Sequence, residues 1–185
     1  MTTACSLEGK VAIVTGAGVG IGRAIATRLS ASGAHVIIND IGGNLAHEAA
    51  EAIVKAGGDV AVVVGDVATP NTAKEMVRAA WDRWGRLDIL VNSAGITRDA
   101  KIDLLPDEWF GVAMDVLVKG TFLCIQACTP LMCSAAETEL ADGKRVHRKI
   151  VNIASTAGIY GAVGKVSSAA ATAAVIGITK TVARE

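Results

Sequence analysis

Two periodicities alternate along the chain. Short apolar, β-branched runs read as strands: "KVAIVTG" (10–16), which reads as buried, "HVIIND" (35–40), "DVAVVVGD" (59–66), "LDILVNSAG" (87–95) and "KIVNIAS" (149–155). Between them apolar residues recur at helical spacing. Ile21, Ala24, Ile25 and Leu29 mark one helix, closed by Gly33. Leu45, Ala49, Ala52, Ile53 and Ala56 mark a second, ended by Gly57 and Gly58. Thr69-Pro70 opens a third, with the apolar face Ala73, Met76, Val77, Ala80, Trp81 and Trp84. A long helical stretch starts near Pro106, and Pro130 is expected to kink or end it. Residues 139–149 read as a polar connection, and a closing helix runs from about Ser167 to the end.

Strands alternating with helices of about a dozen residues predict an α/β fold, a parallel sheet with helices on both faces. Right-handed crossovers make a doubly wound arrangement the leading topology. No repeat, linker or low-complexity tract breaks the order, so residues 1–185 are expected to form a single domain.

Composition narrows the function classes. Eighteen basic and eighteen acidic residues give a formal net charge of zero, with no basic block, so no nucleic-acid partner is expected. No run of 18 apolar residues occurs, so no membrane partner is expected. The first ten residues lack the pattern of a secretory signal, and the last lack a lipidation or peroxisomal address. Cys5, Cys124, Cys128 and Cys133 have no CxxC spacing or clustered His, so they read as reduced thiols in a cytoplasmic protein, and no metal site is expected.

"TGAGVGIG" (15–22) lies between the first strand and the first helix, with Gly16, Gly20 and Gly22 in a TGxxxGxG pattern and Gly18, Val19 and Ile21 between them. Such a turn lets backbone approach a pyrophosphate, and the helix N-terminus offers it unpaired N–H groups. In isolation a structural glycine turn would look the same. Asp40, 18 residues past Gly22, ends the next strand. An acid there can accept from both ribose hydroxyls and repel a 2′-phosphate, and Val19 offers that phosphate no positive charge, so NAD is expected rather than NADP. The competing reading of Asp40 is a solvated strand-end acid. Asp66 ends the third strand, where it could accept from an adenine amino group, and "NSAG" (92–95) ends the fourth with small residues against which a cofactor could lie.

These stretches, with "GDV" (65–67), "LVNSAGI" (90–96), "DVLVKGTF" (115–122) and "KIVNIAS", resemble the short-chain dehydrogenase/reductase family, in particular its 3-oxoacyl and 3-hydroxyacyl thioester members. The resemblance covers nearly the whole chain. It implies a Rossmann sheet with five strands in order 3-2-1-4-5, a nicotinamide cofactor, and hydride exchange between an alcohol and a ketone. It places Asp40, Asp66 and Val67 around adenosine, and Asn92, Ala94 and Gly95 along the cofactor. The family continues with two more strands, so its C-terminal part is expected to be absent and the fifth strand to be an unpaired edge.

The family's catalysis uses Ser, Tyr and Lys, with an Asn supporting a proton relay. Ser155 matches the serine. Counting on to the YxxxK pair lands on Ser168 and Thr172, and the Asn position holds Leu117. The sole Tyr, Tyr160, precedes Lys165 by five residues rather than four. Three of four roles are vacant, and a serine hydroxyl is a far weaker acid than a phenol. What remains of the closing helix is packing, with Ala170, Ala174, Ile178 and Val182 at helical spacing. Three readings stay open: a NAD-binding protein with absent or very low turnover, an active oxidoreductase with a substitute acid acting on a small carbonyl or alcohol, and a non-catalytic assembly subunit. Family resemblance implies homo- or hetero-oligomers through the helices around 106–133 and 167–185.

Overall fold

In the computed structural model, residues 6–185 are described, and Cys5 lies outside them. Five strands form one parallel sheet: β1 (Val11–Thr15), β2 (His35–Asp40), β3 (Val60–Val64), β4 (Ile89–Asn92) and β5 (Lys149–Asn152). Their order is β3-β2-β1-β4-β5. The register aligns Val14 with Ile38 and Val91, so the strands end together along one edge. β5 is the outermost strand and pairs with β4 alone.

Side-chain alternation along each strand feeds two cores. On one face Val14, Val36, Ile38 and Val91 pack under α1 (Gly20–Ala31) and α2 (Gly43–Lys55), through Ala26, Ala46, Ala49 and Ile53. On the other, Val11, Ile13, Ile37 and Leu90 pack under α3 (Pro70–Trp84) and a later helix, through Met76, Ala80, Leu123, Cys124 and Cys128. That later run comprises α4 (Asp107–Ala113), a π-helical segment (Met114–Lys119) and α5 (Gly120–Ala141). Two further helices follow β5: the single-turn α6 (Ala157–Tyr160) and α7 (Val166–Val182).

The packed faces differ from expectation in places. Ala24 is exposed in α1, and Leu45 and Ala52 in α2, where Ala46 and Ala50 take the inner positions. Trp81 is exposed in α3. Pro130 does not end its helix, which runs on to Ala141 and shortens the polar connection to 142–148. The carbonyl left without a partner belongs to exposed Gln126, where water can satisfy it. By length and composition the run Asp107–Ala141 is long and apolar enough to cross a membrane, more than its sequence suggested, and in this fold Leu123, Cys124, Ile125, Cys128 and Met132 spend that apolarity on the core. In α7 the inner face is Ser167, Ala171 and Val175 rather than Ala170 and Ala174, and Ile178 and Val182 reach the core further on. Ala170 is exposed.

At the opposite end of the strands, Asp88 is fully buried. It accepts from the Val11 N–H (2.9 Å) and twice from the Arg86 guanidinium (2.8 and 2.6 Å), with Lys10 at 3.6 Å. Arg148 and Glu139 pair beside it at 2.9 Å. This network ties β1 and β4 to the end of α5.

Candidate nucleotide and active site

The C-terminal ends of the strands open into a cleft of about 540 Å³. Gly16, Val19, Gly20, Ile21 and Gly22 form its floor, and Asp40, Asp66, Val67, Ala94 and Gly95 its walls. The turn after β1 works by close approach. Gly16 has φ +61°, and a Cβ there would lie 2.6 Å from Ala94 Cα, so this turn can press against the end of β4 only as glycine. Thr15 fixes the same junction, its hydroxyl accepting from the Ser93 and Ala94 N–H groups at 3.1 Å.

Asp40 is clamped by two backbone donors. The Gly18 N–H donates to Oδ2 and the Gly42 N–H to Oδ1, each at 2.9 Å. Gly18 is therefore a positioning residue beneath the carboxylate rather than part of the cleft lining. A Cβ on it would sit 2.8 Å from that oxygen. Asp66 Oδ1 accepts from the Ala68 N–H at 2.8 Å, which opens the turn into α3.

Asn92 departs from its expected place along the cofactor. It does not line the cleft; its Nδ2 donates to Asn152 Oδ1 at 2.8 Å, and Asn152 Nδ2 donates to Thr179 Oγ1 at 2.9 Å. The cleft takes its lining from the residues just after the strand, Ser93 to Gly95. Sequence reading missed other lining residues: Asn39, Ile41, Gly65, Ile96, Val112, Val116 and Ile153. Asn39 holds β2 to β3 by donating to the Val63 and Gly65 carbonyls at 3.0 Å. Each strand-end residue among these was findable from the rule that ligands sit at strand C-termini; Val112 and Val116 come from a helix and carried no such signal.

The catalytic positions stand apart from the cleft lining. Ser155 is exposed, and its hydroxyl accepts from the Ala157 N–H at 3.1 Å, starting α6. Ser168 donates to the Lys165 carbonyl at 3.2 Å, and Thr172 donates to the Ser168 carbonyl at 2.6 Å. Thr172 is buried, and α6 packs so closely on it that a Cβ at Gly158 would lie 2.6 Å from its Oγ1. Leu117, within the π-helical segment, packs over Gly95. Tyr160 is 84% exposed, and Lys165 is paired with Asp99 at 2.5 Å. Among the described residues no three His, Cys, Asp or Glu side chains converge as a metal site would require.

With this geometry in view, the sequence matches the short chain dehydrogenase family over residues 10–185. The chain belongs to that family. Its members are oxidoreductases that use nicotinamide cofactors. It is 38% identical over 181 residues to a 3-oxoacyl-[acyl-carrier-protein] reductase of Synechocystis sp., covering 97% of this chain and 69% of that protein. It is 37% identical over 188 residues to a hydroxyacyl-CoA dehydrogenase of Mycobacterium tuberculosis, covering 99% and 58%. A solved short chain dehydrogenase from Mycobacterium avium superposes with a TM-score of 0.85 at 36% identity, over 94% of this chain and 61% of that one. The chain thus spans somewhat under two thirds of that solved relative.

Proposed function

We propose that this chain is a NAD-binding short-chain dehydrogenase with absent or very low carbonyl turnover. The residues present fit the dinucleotide. Gly20 opens α1 with nothing within 4 Å of where its Cβ would stand, leaving room for a pyrophosphate at the helix N-terminus. Each Asp40 oxygen takes one backbone donor and keeps acceptor capacity for a ribose hydroxyl, while its charge opposes a 2′-phosphate. Asp66 has the acceptor an adenine amino group needs. The bound nicotinamide would supply or receive hydride.

The observation that carries low turnover is the pair Ser168 and Thr172 at the Tyr and Lys positions. Both hydroxyls donate to carbonyls of their own helix region, and neither lines the cleft. Loss of a general acid costs roughly 10²–10⁴-fold, and no ammonium replaces the lost cation there. Little supports Tyr160 as a substitute acid: it sits at the exposed end of α6, and the nearby Lys165 is paired with Asp99. The substrates named for the relatives, 3-oxoacyl and hydroxyacyl thioesters, are the first to try.

Isothermal titration with NAD and NADP, alongside NADH oxidation with a 3-oxoacyl thioester, tests this reading. NAD binding tighter than NADP with turnover far below 1 per second is expected. Turnover of about 1 per second or more overturns it, and loss of that turnover in Tyr160→Phe would identify a substitute acid.

A second reading, pairing with another copy or an intact relative, has its own support. Phe122 is half exposed beside an apolar groove of about 580 Å³ between α5 and α7, with Ile125, Ile178 and Val182 in its walls. Light scattering of the wild type and Phe122→Glu tests it; pairing predicts a multimer that the variant disrupts.

A further inference from the structure

The cleft is chemically lopsided, and the strand order sets the direction of the asymmetry. Neighbouring strands are ~4.8 Å apart, so the ends of β3 and β5 are separated by roughly 19 Å. At the β2–β3 side stand Asn39, Asp40 and Asp66, and the glycine turn occupies the centre after β1. The β4–β5 side is lined by Ala94, Gly95, Ile96 and Ile153, with Val112 and Val116 from the helical run. Ser93 is the single hydroxyl on that side among the described lining residues, at the root of the turn. The positions that would bring polarity there are occupied otherwise. Leu117 packs over Gly95, Thr172 is buried and bonded within α7, and Ser168 is bonded back to Lys165.

From this asymmetry we infer that the site recognises the adenosine diphosphate portion of its ligand and is indifferent to, or selects against, a charged group beyond it. The ligand class is then adenosine 5′-diphosphate derivatives, of which NAD is one. This inference rests on the nucleotide-binding reading above and sharpens it. Hydrogen-bonded recognition ends with the pyrophosphate, where backbone N–H groups of the turn and the α1 N-terminus face the ligand. Beyond it, an oxidised nicotinamide ring would bring a positive charge against six apolar walls with no carboxylate beside it, which is unfavourable. The reduced ring is neutral and escapes that cost. A site built for hydride exchange must hold the second ribose and ring in register; among the described residues this lining offers that end shape and, apart from the Ser93 hydroxyl, no polar side chain.

Isothermal titration of the 185-residue protein with ADP, ADP-ribose, NAD+ and NADH decides the matter. Expected are ADP-ribose and ADP within about threefold of NAD+, NADH no weaker than NAD+, and Asp40→Ala weakening all four by a similar factor. NAD+ binding tenfold or more tighter than ADP-ribose overturns the inference while leaving the NAD-binding reading intact. If none of the four binds, the nucleotide-binding reading itself fails, and the inference falls with it.

Discussion

Thr172 Oγ1 donates a 2.6 Å hydrogen bond to the carbonyl oxygen of Ser168, one turn earlier in α7. The residues at the family's Lys and Tyr positions thus interact with each other through the backbone of one helix, and the Thr172 side chain is sealed beneath α6.

That seal is testable at Gly158. An added Cβ would meet Thr172 Oγ1 at 2.6 Å and the Ala173 nitrogen at 2.7 Å. Gly158→Ala should destabilise the protein by about 1–3 kcal/mol in urea unfolding. Thr172→Ala in the same chain should not rescue it, because the second clash is with backbone. Full rescue would show that α6 yields more readily than its packing implies.

Asp40 should govern nucleotide choice. Hydrogen bonds to a charged acceptor contribute about 1.5–3 kcal/mol. Asp40→Ala is expected to weaken NAD by roughly tenfold or more and to narrow the gap to NADP. An unchanged NAD affinity by calorimetry would return Asp40 to the role of a loop-fixing acid, which its bonds to Gly18 and Gly42 already make it.

Most of the architecture was legible because it rests on period. Parallel strands leave apolar runs, and five of these gave the parallel sheet, while its order came from the family resemblance. Segment ends were less legible: Pro130 was expected to interrupt a helix whose exposed side tolerates it. Ser168 and Thr172 were singled out by counting along the family's pattern, and no periodicity marks them. The destination of Asn92 was not, since its partner Asn152 lies 60 residues away and only the strand pairing brings the two together. The Asp88 cluster was equally invisible, being assembled from the starts of two strands and the end of α5.

Acid should act through that cluster. Burial alone would raise the Asp88 pKa, but the Arg86 hydrogen bonds, the Val11 N–H and the charges of Arg86 and Lys10 outweigh it and hold the carboxyl below its ordinary range. A carboxylate whose folded pKa is depressed contributes stability that is present above its unfolded pKa of about 3.9 and lost as pH falls through the folded value. Asp59 and Glu139 are shifted the same way. Thermal unfolding should therefore show a steep loss of stability below about pH 4. Asp88→Asn should lose about 3 kcal/mol at pH 7 and show a shallower acid slope.

The cysteines should react unequally. Burial pushes the Cys124 thiol up to about 12 and raises that of Cys128 as well, whereas Cys133 is exposed. Iodoacetamide labelling read by mass spectrometry should modify Cys133 in the native protein and Cys124 and Cys128 only on unfolding. Rapid native labelling of Cys128 would mean that α5 leaves the sheet far more often than its packing suggests.

The order β3-β2-β1-β4-β5 has a consequence for how such a chain tolerates change. Asp40 ends β2 and Asp66 lies just past β3, while Ser155, Ser168 and Thr172 all follow β5. The two groups share no element, and the central β1 with its turn stands between them. Drift within α7 therefore does not strain the aspartates' supports, and a lineage built on this layout can shed one inheritance while natural selection continues to act on the other.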